Sequence, residues 1–475
     1  MSFLFKIIGA LCSGVLLYWA FDTTEFMWLS VVSFIILICV LKNITRVILR
    51  CILLTIFILT FVFLQFSFLF KTADLIDNSV LLLNLIITLI YLVPIYAVSF
   101  IKSKYYIEIT LLGFLISEYI FATISIGNQL FQLGIILCNI PFIVQWYEFT
   151  GIFAGSFWII LISYFLYRSL FYKKYFLVLI GIIVIPIIIS LIIGKQYGDF
   201  HNNRKVIFTS LTNNNDADSM INGLISQNTE KIDYILMPEG ALTFRNQVFK
   251  FSPTLTKLRR FVKKNGNICF IIGIYTNIEE SYDNSVLIFS KDKMRQRYKI
   301  LKIPFCEYLP YPHILSKIDF INEHVWYKMD EKKNESDLYI HSQDTIAPLI
   351  CYESLSSKYV CDLTQQGANI FFVSSSNSFI DSNHIEQINT KILRANAIIT
   401  RKMFVRSVEH GISCIITPKG DFELVSKNQS VSVLKIANLN YYKPFYAKHF
   451  LVINKIYLFA LLIFITLLGI YGSQK

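Results

Sequence analysis

The chain has 475 residues, of which 55% are hydrophobic and only 16% charged, and its formal net charge at pH 7 is +12. This composition excludes an ordinary soluble globular protein and is typical of a protein with several membrane spans. The basic residues form no clustered stripe, so the positive excess suits anionic lipid head groups and does not predict nucleic-acid binding.

Eight apolar runs, each about as long as a bilayer core is thick, predict eight transmembrane helices. They lie at residues 5–21, 25–41, 49–70, 80–101, 105–127, 150–171, 175–194 and 452–471. The first run has no small-x-small cleavage site before Asp22, so we interpret it as a retained anchor and not as a signal peptide. The predicted organisation is a seven-helix membrane domain at 1–195, a polar domain at 196–450 and a C-terminal transmembrane helix at 451–475.

Basic residues in the loops predict the orientation, because Lys and Arg are retained on the cytoplasmic side. The short outer loops hold only Lys71. With the N-terminus inside, the cytoplasmic loops hold Lys42, Arg46, Arg50, Lys102, Lys104, Arg168, Lys173 and Lys174. Seven spans then place the polar domain on the outer face, and we expect a bacterial inner membrane with this domain in the periplasm.

In the polar segment, short strands alternate with amphipathic helices, which predicts an α/β domain with helices packed on sheet faces. The predicted strands are Val206–Leu211, Tyr234–Pro238, Cys269–Tyr275, Ser285–Phe289, Ala347–Cys351, Ile370–Ser374 and Ser413–Thr417. The predicted helices cover about 217–227, 253–264, 356–366 and 385–402. The polar residues 325–345 predict an exposed loop.

The cysteines and histidines do not predict a metal centre. The nine cysteines lack C-x-x-C spacing, and the seven histidines are scattered along the chain. Cys269 and Cys414 fall in strand-like runs and are predicted to lie in the core, whereas Cys306 and Cys361 are left undecided.

Three short motifs in the polar segment contain the residue types of acyl-transfer chemistry. They are Met-Pro-Glu-Gly at 237–240, Tyr-Lys-Ile-Leu-Lys-Ile-Pro-Phe-Cys-Glu-Tyr at 298–308 and Ile-Cys-Tyr-Glu-Ser at 350–354. Glu239 and Cys351 each stand at a predicted strand end, where α/β sheets present reactive side chains. A thiol needs a base to accept its proton, and Glu239 is the candidate. Lys299, with the backbone N–H of Tyr352, would stabilise an oxyanion.

At these residues the chain resembles the carbon-nitrogen hydrolase (nitrilase) superfamily, whose Glu-Lys-Cys triad occurs in this order on an α-β-β-α sandwich. It is most similar to the apolipoprotein N-acyltransferase branch, which carries such a domain between membrane helices. The shared elements are Pro-Glu at 238–239, Tyr-Lys at 298–299 with Glu307 eight residues on, Cys-Tyr-Glu at 351–353, Tyr-Asp-Asn-Ser at 282–285 and the segment 145–157.

The resemblance implies that Cys351 is the nucleophile, Glu239 the general base and Lys299 the oxyanion partner. The residues it implies for support of the triad or for the substrate pocket are Glu307, Tyr352, Glu353 and Asn284. Cys351 would take an acyl chain from a glycerophospholipid as a thioester and pass it to the N-terminal amine of a diacylglyceryl-modified lipoprotein. No metal or soluble cofactor would be required, and we expect a monomer.

Three elements depart from the family pattern. Residues 210–215 replace a Gly-Asn-x-x-Gln element, residues 376–380 replace Asn-Asp-x-Trp-Phe, and Glu386-Gln387 replaces a Gln-His pair. These departures leave the triad intact and concern substrate contacts, so the sequence predicts a divergent member, and a shifted acyl donor or acceptor stays open.

Two other functions fit the sequence. A membrane-tethered amidase or nitrilase would hydrolyse a small C–N substrate, and an inactive lipid-binding scaffold would keep the fold without turnover. A Ser-His-Asp hydrolase has no support, because no G-x-S-x-G motif occurs. The aromatic segment 304–326 fits either a mobile lid at the lipid interface or a packed loop.

Overall fold

The computed structural model describes residues 3–22, 25–67, 78–124, 129–197, 202–208, 232–245, 252–266, 268–278, 281–291, 293–317, 329, 332–377, 382–424, 431–436 and 442–473. The chain forms two compact units. The first combines Met1–Gln196, Ile380–Ala395 and His449–Lys475, and the second combines Tyr197–Phe379 and Asn396–Lys448. The domain boundaries proposed from the sequence stay a prediction.

Each of the eight apolar runs overlaps one helix. These helices are Phe3–Asp22, Leu29–Leu41, Val47–Gln65, Asn78–Ser99, Tyr106–Thr123, Phe153–Ser169, Lys174–Gln196 and Phe445–Ser473. Five of them are long and apolar enough to cross a bilayer, whereas the described apolar stretches Leu29–Leu41, Leu83–Ser99 and Phe153–Ser169 are shorter. The multi-helix membrane architecture is confirmed, and the number of eight spans stays a prediction.

The segment between helices Tyr106–Thr123 and Phe153–Ser169 was not predicted to form a regular element. It contains the short 3₁₀ helices Gln129–Phe131, Leu133–Asn139 and Pro141–Ile143. Glu118, fully buried in the preceding helix, accepts a hydrogen bond from the Leu133 N–H at 3.2 Å and another from the Ser156 hydroxyl. Irregular backbone among apolar helices needs such internal partners, because lipid offers none.

Helix Lys174–Gln196 contains Pro186, which has no N–H to donate to the carbonyl of Ile182 one turn earlier. The indole Nε1 of Trp158, on the neighbouring helix, donates to that carbonyl at 2.7 Å. One residue therefore satisfies the polar group that the proline leaves open, and it also joins the two helices.

The second unit is built on two mixed β-sheets. In chain order the strands are β1 (Asn202–Phe208), β2 (Tyr234–Leu236), β3 (Leu242–Arg245), β4 (Cys269–Ile278), β5 (Ser281–Phe289), β6 (Met294–Tyr298), β7 (Tyr339–His341), β8 (Asp344–Ile350), β9 (Ile370–Ser376), β10 (Met403–Glu409), β11 (Cys414–Ile416), β12 (Phe422–Leu424) and β13 (Val431–Ile436). The first sheet has the order β13-β1-β2-β4-β5-β6, with β3 also paired to β4, and the second has the order β12-β11-β10-β9-β8-β7.

The sheets pack face to face around an apolar layer to which both contribute. In β2, Tyr234 and Leu236 lie in this layer, whereas Ile235 lies in a second cluster with helix Pro253–Asn265. This alternation follows from the two-residue repeat of a strand. The helix begins at Ser252, whose Oγ accepts the Leu255 N–H at 3.1 Å. The predicted α/β nitrilase-like sandwich is confirmed.

Most predicted elements of the polar segment overlap observed ones. Residues 209–211 of the first predicted strand and the predicted helix 217–227 lie outside the described residues. The strands that the sequence did not predict are β3, β6, β7, β10, β12 and β13. β3, β7 and β12 are only three or four residues long, and β6 has the polar sequence Met-Arg-Gln-Arg-Tyr, so these strands show no clear alternation, whereas β10 and β13 are longer and more apolar.

The predicted exposed loop at 325–345 is right for only part of its described residues: Lys333 and Glu335 are exposed in a loop, whereas 339–341 and 344–345 lie in strands. Asn334 donates to the carbonyl of Tyr298 at 2.9 Å and accepts the N–H of the same residue at 2.8 Å. The loop then continues into β7 and β8, where Tyr339 and Asp344 are buried. The polar residues satisfy the open edge of β6, which a sequence pattern does not distinguish from solvation.

Candidate active site

The candidate residues follow strands that end at the same edge of the unit. β2 is parallel to β4, and β6 runs in the same direction as β4 because two antiparallel pairings separate them. In the second sheet β8 is parallel to β9. The C-terminal end of β9 contacts that of β2, because Ser374 Oγ donates to the Met237 carbonyl at 2.9 Å. Glu239, Lys299 and Cys351 therefore converge.

Glu239 lies in the turn after β2 and is 3% exposed. Its Oε1 accepts hydrogen bonds from Asn284 Nδ2 at 2.5 Å and Lys299 Nζ at 3.4 Å. Its Oε2 accepts the Ser376 N–H at 3.0 Å, and its own N–H donates to the Ser375 carbonyl at 3.3 Å. Contacts from both sheets thus fix the carboxylate.

Two glycines allow this turn to form. Gly240 has a φ of +69°, which favours glycine, and lies against the ring of Tyr275. Gly273 in β4 lies directly behind Glu239, where an added Cβ would overlap the Pro238 carbonyl and the Glu239 Cα. The carboxylate can occupy its position only because β4 has no side chain there.

Lys299 is 5% exposed and lies between two carboxylates. Its Nζ is 2.6 Å from Glu307 Oε1 and 3.4 Å from Glu239 Oε1. Burial acts to lower the pKa of Lys299, but the two carboxylates outweigh burial and raise that pKa well above its usual value. The side chain is therefore an ammonium at neutral pH.

Glu307 lies in a compact turn after Lys299. Its Oε2 accepts the Ile303 N–H at 2.7 Å, and its N–H donates to the Ile303 carbonyl at 2.8 Å. Burial raises the pKa of Glu307, and Lys299 partly offsets that rise. Phe305 has a φ of 64°, and its N–H donates to the Tyr308 carbonyl at 2.9 Å. This part of segment 304–326 is a hydrogen-bonded packed turn, and residues 318–326 lie outside the described residues.

Cys351 directly follows β8 and begins the 3₁₀ helix Cys351–Leu355, so it is not the last residue of the strand as predicted. Its φ of 45° lies in the left-handed region, which is strained for a residue with a side chain. Burial, followed by Glu239, raises the pKa of the Cys351 thiol to about 12, although Lys299 acts in the opposite direction. The thiol is protonated at neutral pH and is electrostatically coupled to the Glu–Lys cluster.

Glu353 is fully buried and does not pair with Lys299. Its Oε2 accepts the Ile350 N–H at 2.8 Å, beside the cysteine, and its Oε1 accepts the Ile300 N–H at 2.6 Å, beside the lysine. It also forms a bidentate ion pair with Arg297. This carboxylate therefore joins the backbone of the cysteine turn to that of the lysine segment.

The remaining predicted residues differ in position. Asn284, in β5, donates to Glu239, and its carbonyl accepts the Lys299 N–H at 2.9 Å. Its Oδ1 is buried and has no hydrogen-bond partner among the described residues. Tyr352 is the second residue of the 3₁₀ helix and is half-buried. The structure thus brings the predicted residues together, while their catalytic roles stay a proposal.

Sequence reasoning missed Arg297, Ser376 and Arg406. Arg406, in β10, is 3% exposed and acts to lower the pKa of Cys351. Each of these residues lies in a strand that the sequence did not predict or at the end of one that it did. For Arg297 and Arg406, the only available signal was a positive charge within a strand. Ser376 bonds to Glu239 through its backbone N–H, which leaves no signal in the sequence.

The undecided cysteines separate into two cases. Cys361 is buried, as are Cys269 and Cys414, which the sequence placed in the core. Cys306 is partly exposed beside Glu307, and burial, followed by that carboxylate, raises its pKa to about 12. In the part of the chain that the structure describes, no group of three or more His, Cys, Asp or Glu residues could hold a metal ion.

Two solved structures are similar to about half of the chain. One is Nit3 of Saccharomyces cerevisiae, a nitrilase-superfamily member, at 13% identity and a TM-score of 0.38, over 51% of this chain and 93% of Nit3. The other is an amidase from Nesterenkonia sp. AN1, at 13% identity and a TM-score of 0.38, over 52% of this chain and 94% of the amidase.

Curated relatives share a single description, apolipoprotein N-acyltransferase. The protein of Borreliella burgdorferi is 24% identical over 220 residues, which cover 44% of this chain and 42% of the relative. That of Aquifex aeolicus is 23% identical over 306 residues, or 61% and 66% respectively. The matched segments span less than two thirds of the length of these relatives.

Two family models match successive parts of the chain. The apolipoprotein N-acyltransferase N-terminal domain matches residues 13–165, and the carbon-nitrogen hydrolase domain matches residues 210–435. The protein is thus of the class that joins apolar helices to a carbon-nitrogen hydrolase domain. Within that class, the chain belongs to the apolipoprotein N-acyltransferase family, as a divergent member.

Proposed function

We propose that the protein transfers an acyl chain from a glycerophospholipid to the N-terminal amine of diacylglyceryl-cysteine on a lipoprotein. Cys351 carries the acyl group between the two substrates as a thioester. The protein acts in a bacterial inner membrane, with the carbon-nitrogen hydrolase unit in the periplasm.

In the first half-reaction, Cys351 Sγ attacks the ester carbonyl while Glu239 accepts the thiol proton. The resulting oxyanion is stabilised by the Lys299 ammonium and the Tyr352 N–H. The C–O bond then breaks, and the lysophospholipid leaves as an alcohol with the proton from Glu239. The acyl group remains on Cys351.

In the second half-reaction, the neutral amine of the acceptor attacks the thioester carbonyl and gives its proton to Glu239. The C–S bond breaks, Cys351 regains a proton, and the product is an amide. The unpaired, buried Oδ1 of Asn284 supports this step, because it is an acceptor for an amine N–H beside the same carboxylate.

The observation that carries the proposal is the Lys299 ammonium held between Glu239 and Glu307 and coupled to a strained cysteine. Desolvated charges of this kind cluster at functional sites, because burying them without a function is costly. The apolar helices of the same chain supply access to phospholipid.

The test uses purified full-length protein in mixed micelles with phospholipid, followed by intact-mass analysis. We expect a hydroxylamine-labile acyl adduct on the wild type and on the control Cys12→Ala, whose cysteine is an exposed one in the first helix. Cys351→Ala should form no adduct. A diacylglyceryl-cysteine peptide should discharge the adduct and become N-acylated.

Other outcomes would contradict the proposal. An adduct that the peptide does not discharge indicates another acceptor. Cleavage of small amides without any lipid adduct indicates a membrane-tethered amidase, and an adduct that persists in Cys351→Ala excludes this cysteine as the acyl carrier.

A further inference from the structure

Glu353 is the most heavily hydrogen-bonded carboxylate described near Cys351. Besides the bonds to the Ile350 and Ile300 amides, its Oε1 accepts the Leu301 N–H at 3.4 Å. It is fully buried, so none of these bonds can be replaced by water. The position of the cysteine turn relative to the lysine segment depends on this one carboxylate.

A buried carboxylate accepts several N–H groups well only when it is ionised. Ionisation without a nearby cation would be strongly unfavourable, because the charge is removed from water. Arg297 supplies that cation: its Nη1 is 2.6 Å from Glu353 Oε2, and its Nη2 is 2.9 Å from Oε1.

Arg297 has further partners besides Glu353. It is 1% exposed, its Nη2 donates to the Tyr359 hydroxyl at 2.6 Å, and its Nε is 3.4 Å from Asp337 Oδ1. Tyr359 belongs to the helix that follows the cysteine turn, and Arg297 lies two residues before Lys299. The guanidinium thus joins the strand that leads to Lys299 to the cysteine turn and to the helix after it.

We propose that Arg297 is a positioning residue of the acyl-transfer site, which anchors the Glu353 carboxylate through a bidentate ion pair and so holds the Cys351 turn and the Lys299 segment in their reactive arrangement. Its planar, bidentate geometry matters as well as its charge, since Lys cannot bond to both oxygens of Glu353 and to Tyr359 at once. Arg297 does not itself touch the reacting atoms.

Removal of the cation has a distinctive consequence. In Arg297→Met, Glu353 loses its bidentate partner and its buried cation, so the carboxylate no longer holds the two backbone segments in a fixed arrangement. We expect thioester formation to slow by about 10- to 100-fold, as for a small misplacement of reacting groups, while KM for lipid changes little.

The matched control is Arg295→Met. Arg295 lies on the same face of β6, but its Nη1 donates to a backbone carbonyl, that of Leu338, at 2.9 Å. This variant should keep the wild-type rate. Arg297→Lys should react at a reduced rate, because it retains the charge and loses the bidentate geometry.

A double variant separates positioning from general destabilisation. With Glu353→Gln present there is no carboxylate for Arg297 to pair with, so adding Arg297→Met should slow the reaction no further. Additive losses, or an Arg297→Met enzyme that behaves like Arg295→Met, would overturn the inference.

This inference rests on the proposed function for its thioester readout, so a second readout is independent of acyl transfer. Iodoacetamide alkylation of Cys351, quantified by peptide mass spectrometry against pH, reports the cysteine turn directly. We expect several-fold faster alkylation in Arg297→Met than in Arg295→Met, and no such difference when both carry Glu353→Gln. If the wild type forms no thioester but this alkylation pattern holds, the proposed function fails and the positioning role stands.

Discussion

Cys351 is protonated in the resting site, and this has kinetic consequences. Burial and then Glu239 raise the pKa of its thiol to about 12, so the thiol is the main form at neutral pH. In the proposed reaction its proton would leave as the C–S bond forms, and Glu239 is the proposed acceptor.

The charges around Cys351 predict opposite effects of two substitutions. Glu239 raises the pKa of Cys351 and Lys299 lowers it. Glu239→Gln should therefore move the pH profile of Cys351 alkylation to lower pH, and Lys299→Met should move it to higher pH, while both abolish thioester formation. Alkylation by iodoacetamide from pH 7 to 11, mapped to Cys351 by mass spectrometry, measures the shifts. Shifts in the same direction would refute the electrostatic arrangement.

The residues of the site differed in how well the sequence revealed them. Glu239, Lys299 and Cys351 stand in compact motifs, so the resemblance alone selected them. Arg297 lies 56 residues from its partner Glu353, and an arginine in a polar strand has the pattern of an exposed side chain. A pairing over that separation cannot be derived from local pattern, because it depends on which strands become neighbours.

Among the elements, helix Lys174–Gln196 shows how a membrane protein accommodates a proline. The carbonyl freed by Pro186 would be costly if it faced lipid, and Trp158 supplies the missing donor. The sequence predicted the helix from its apolar run, but an indole on another helix was not foreseeable, because aromatic residues are common in every span.

This arrangement predicts a coupled stability effect. Trp158→Phe removes the donor and should lower the free energy of unfolding by about 1 kcal/mol, as for a lost buried hydrogen bond. In a Pro186→Ala background the helix supplies its own N–H, so the same substitution should cost much less. Thermal unfolding of the four proteins in detergent gives the comparison. Equal losses in both backgrounds would show that Trp158 stabilises only by packing.

The edge of the first sheet is a second element that pattern alone misassigned. Asn334 occupies the place of a pairing strand by bonding to both backbone groups of Tyr298, so a polar segment covers β6 without becoming a strand. Hydrophobic pattern identified the buried strands, such as β4 and β9, because a short continuous apolar run between turn residues favours a strand covered on both faces. It missed the four edge strands β6, β7, β12 and β13, and also β3 and the central strand β10.

At the scale of the molecule, apolar length predicted the helical unit, β/α alternation predicted an α/β domain, and the family resemblance predicted its sandwich. The 3₁₀ helices between residues 129 and 143 were not predicted, because apolar composition alone does not distinguish a 3₁₀ helix from an α-helix or a loop. Helix Lys174–Gln196 exposes Ile185, Ile188 and Ile192, which is what a lipid-facing surface requires. Composition therefore predicted where apolar segments lie, but it did not predict the conformation of each one.

The orientation can be tested on the whole chain. Short epitope tags inserted at Lys173 and at Glu335, both exposed, should fall on opposite sides of the membrane. The positive loop charge predicts that the tag at Glu335 binds antibody in intact spheroplasts and that the tag at Lys173 binds only after permeabilisation. The reverse labelling would place the carbon-nitrogen hydrolase unit in the cytoplasm and contradict the proposed periplasmic location.

The lack of space at Gly273 restricts which residue related sequences can carry at this position. Any side chain at this position would push the Glu239 turn away from β4. Sequences that descend from a common active ancestor can change lipid or acceptor preference elsewhere, but a lineage that loses this glycine should lose the reaction with it. Among distant relatives, a residue other than glycine at this position would then identify the members that no longer catalyse the reaction.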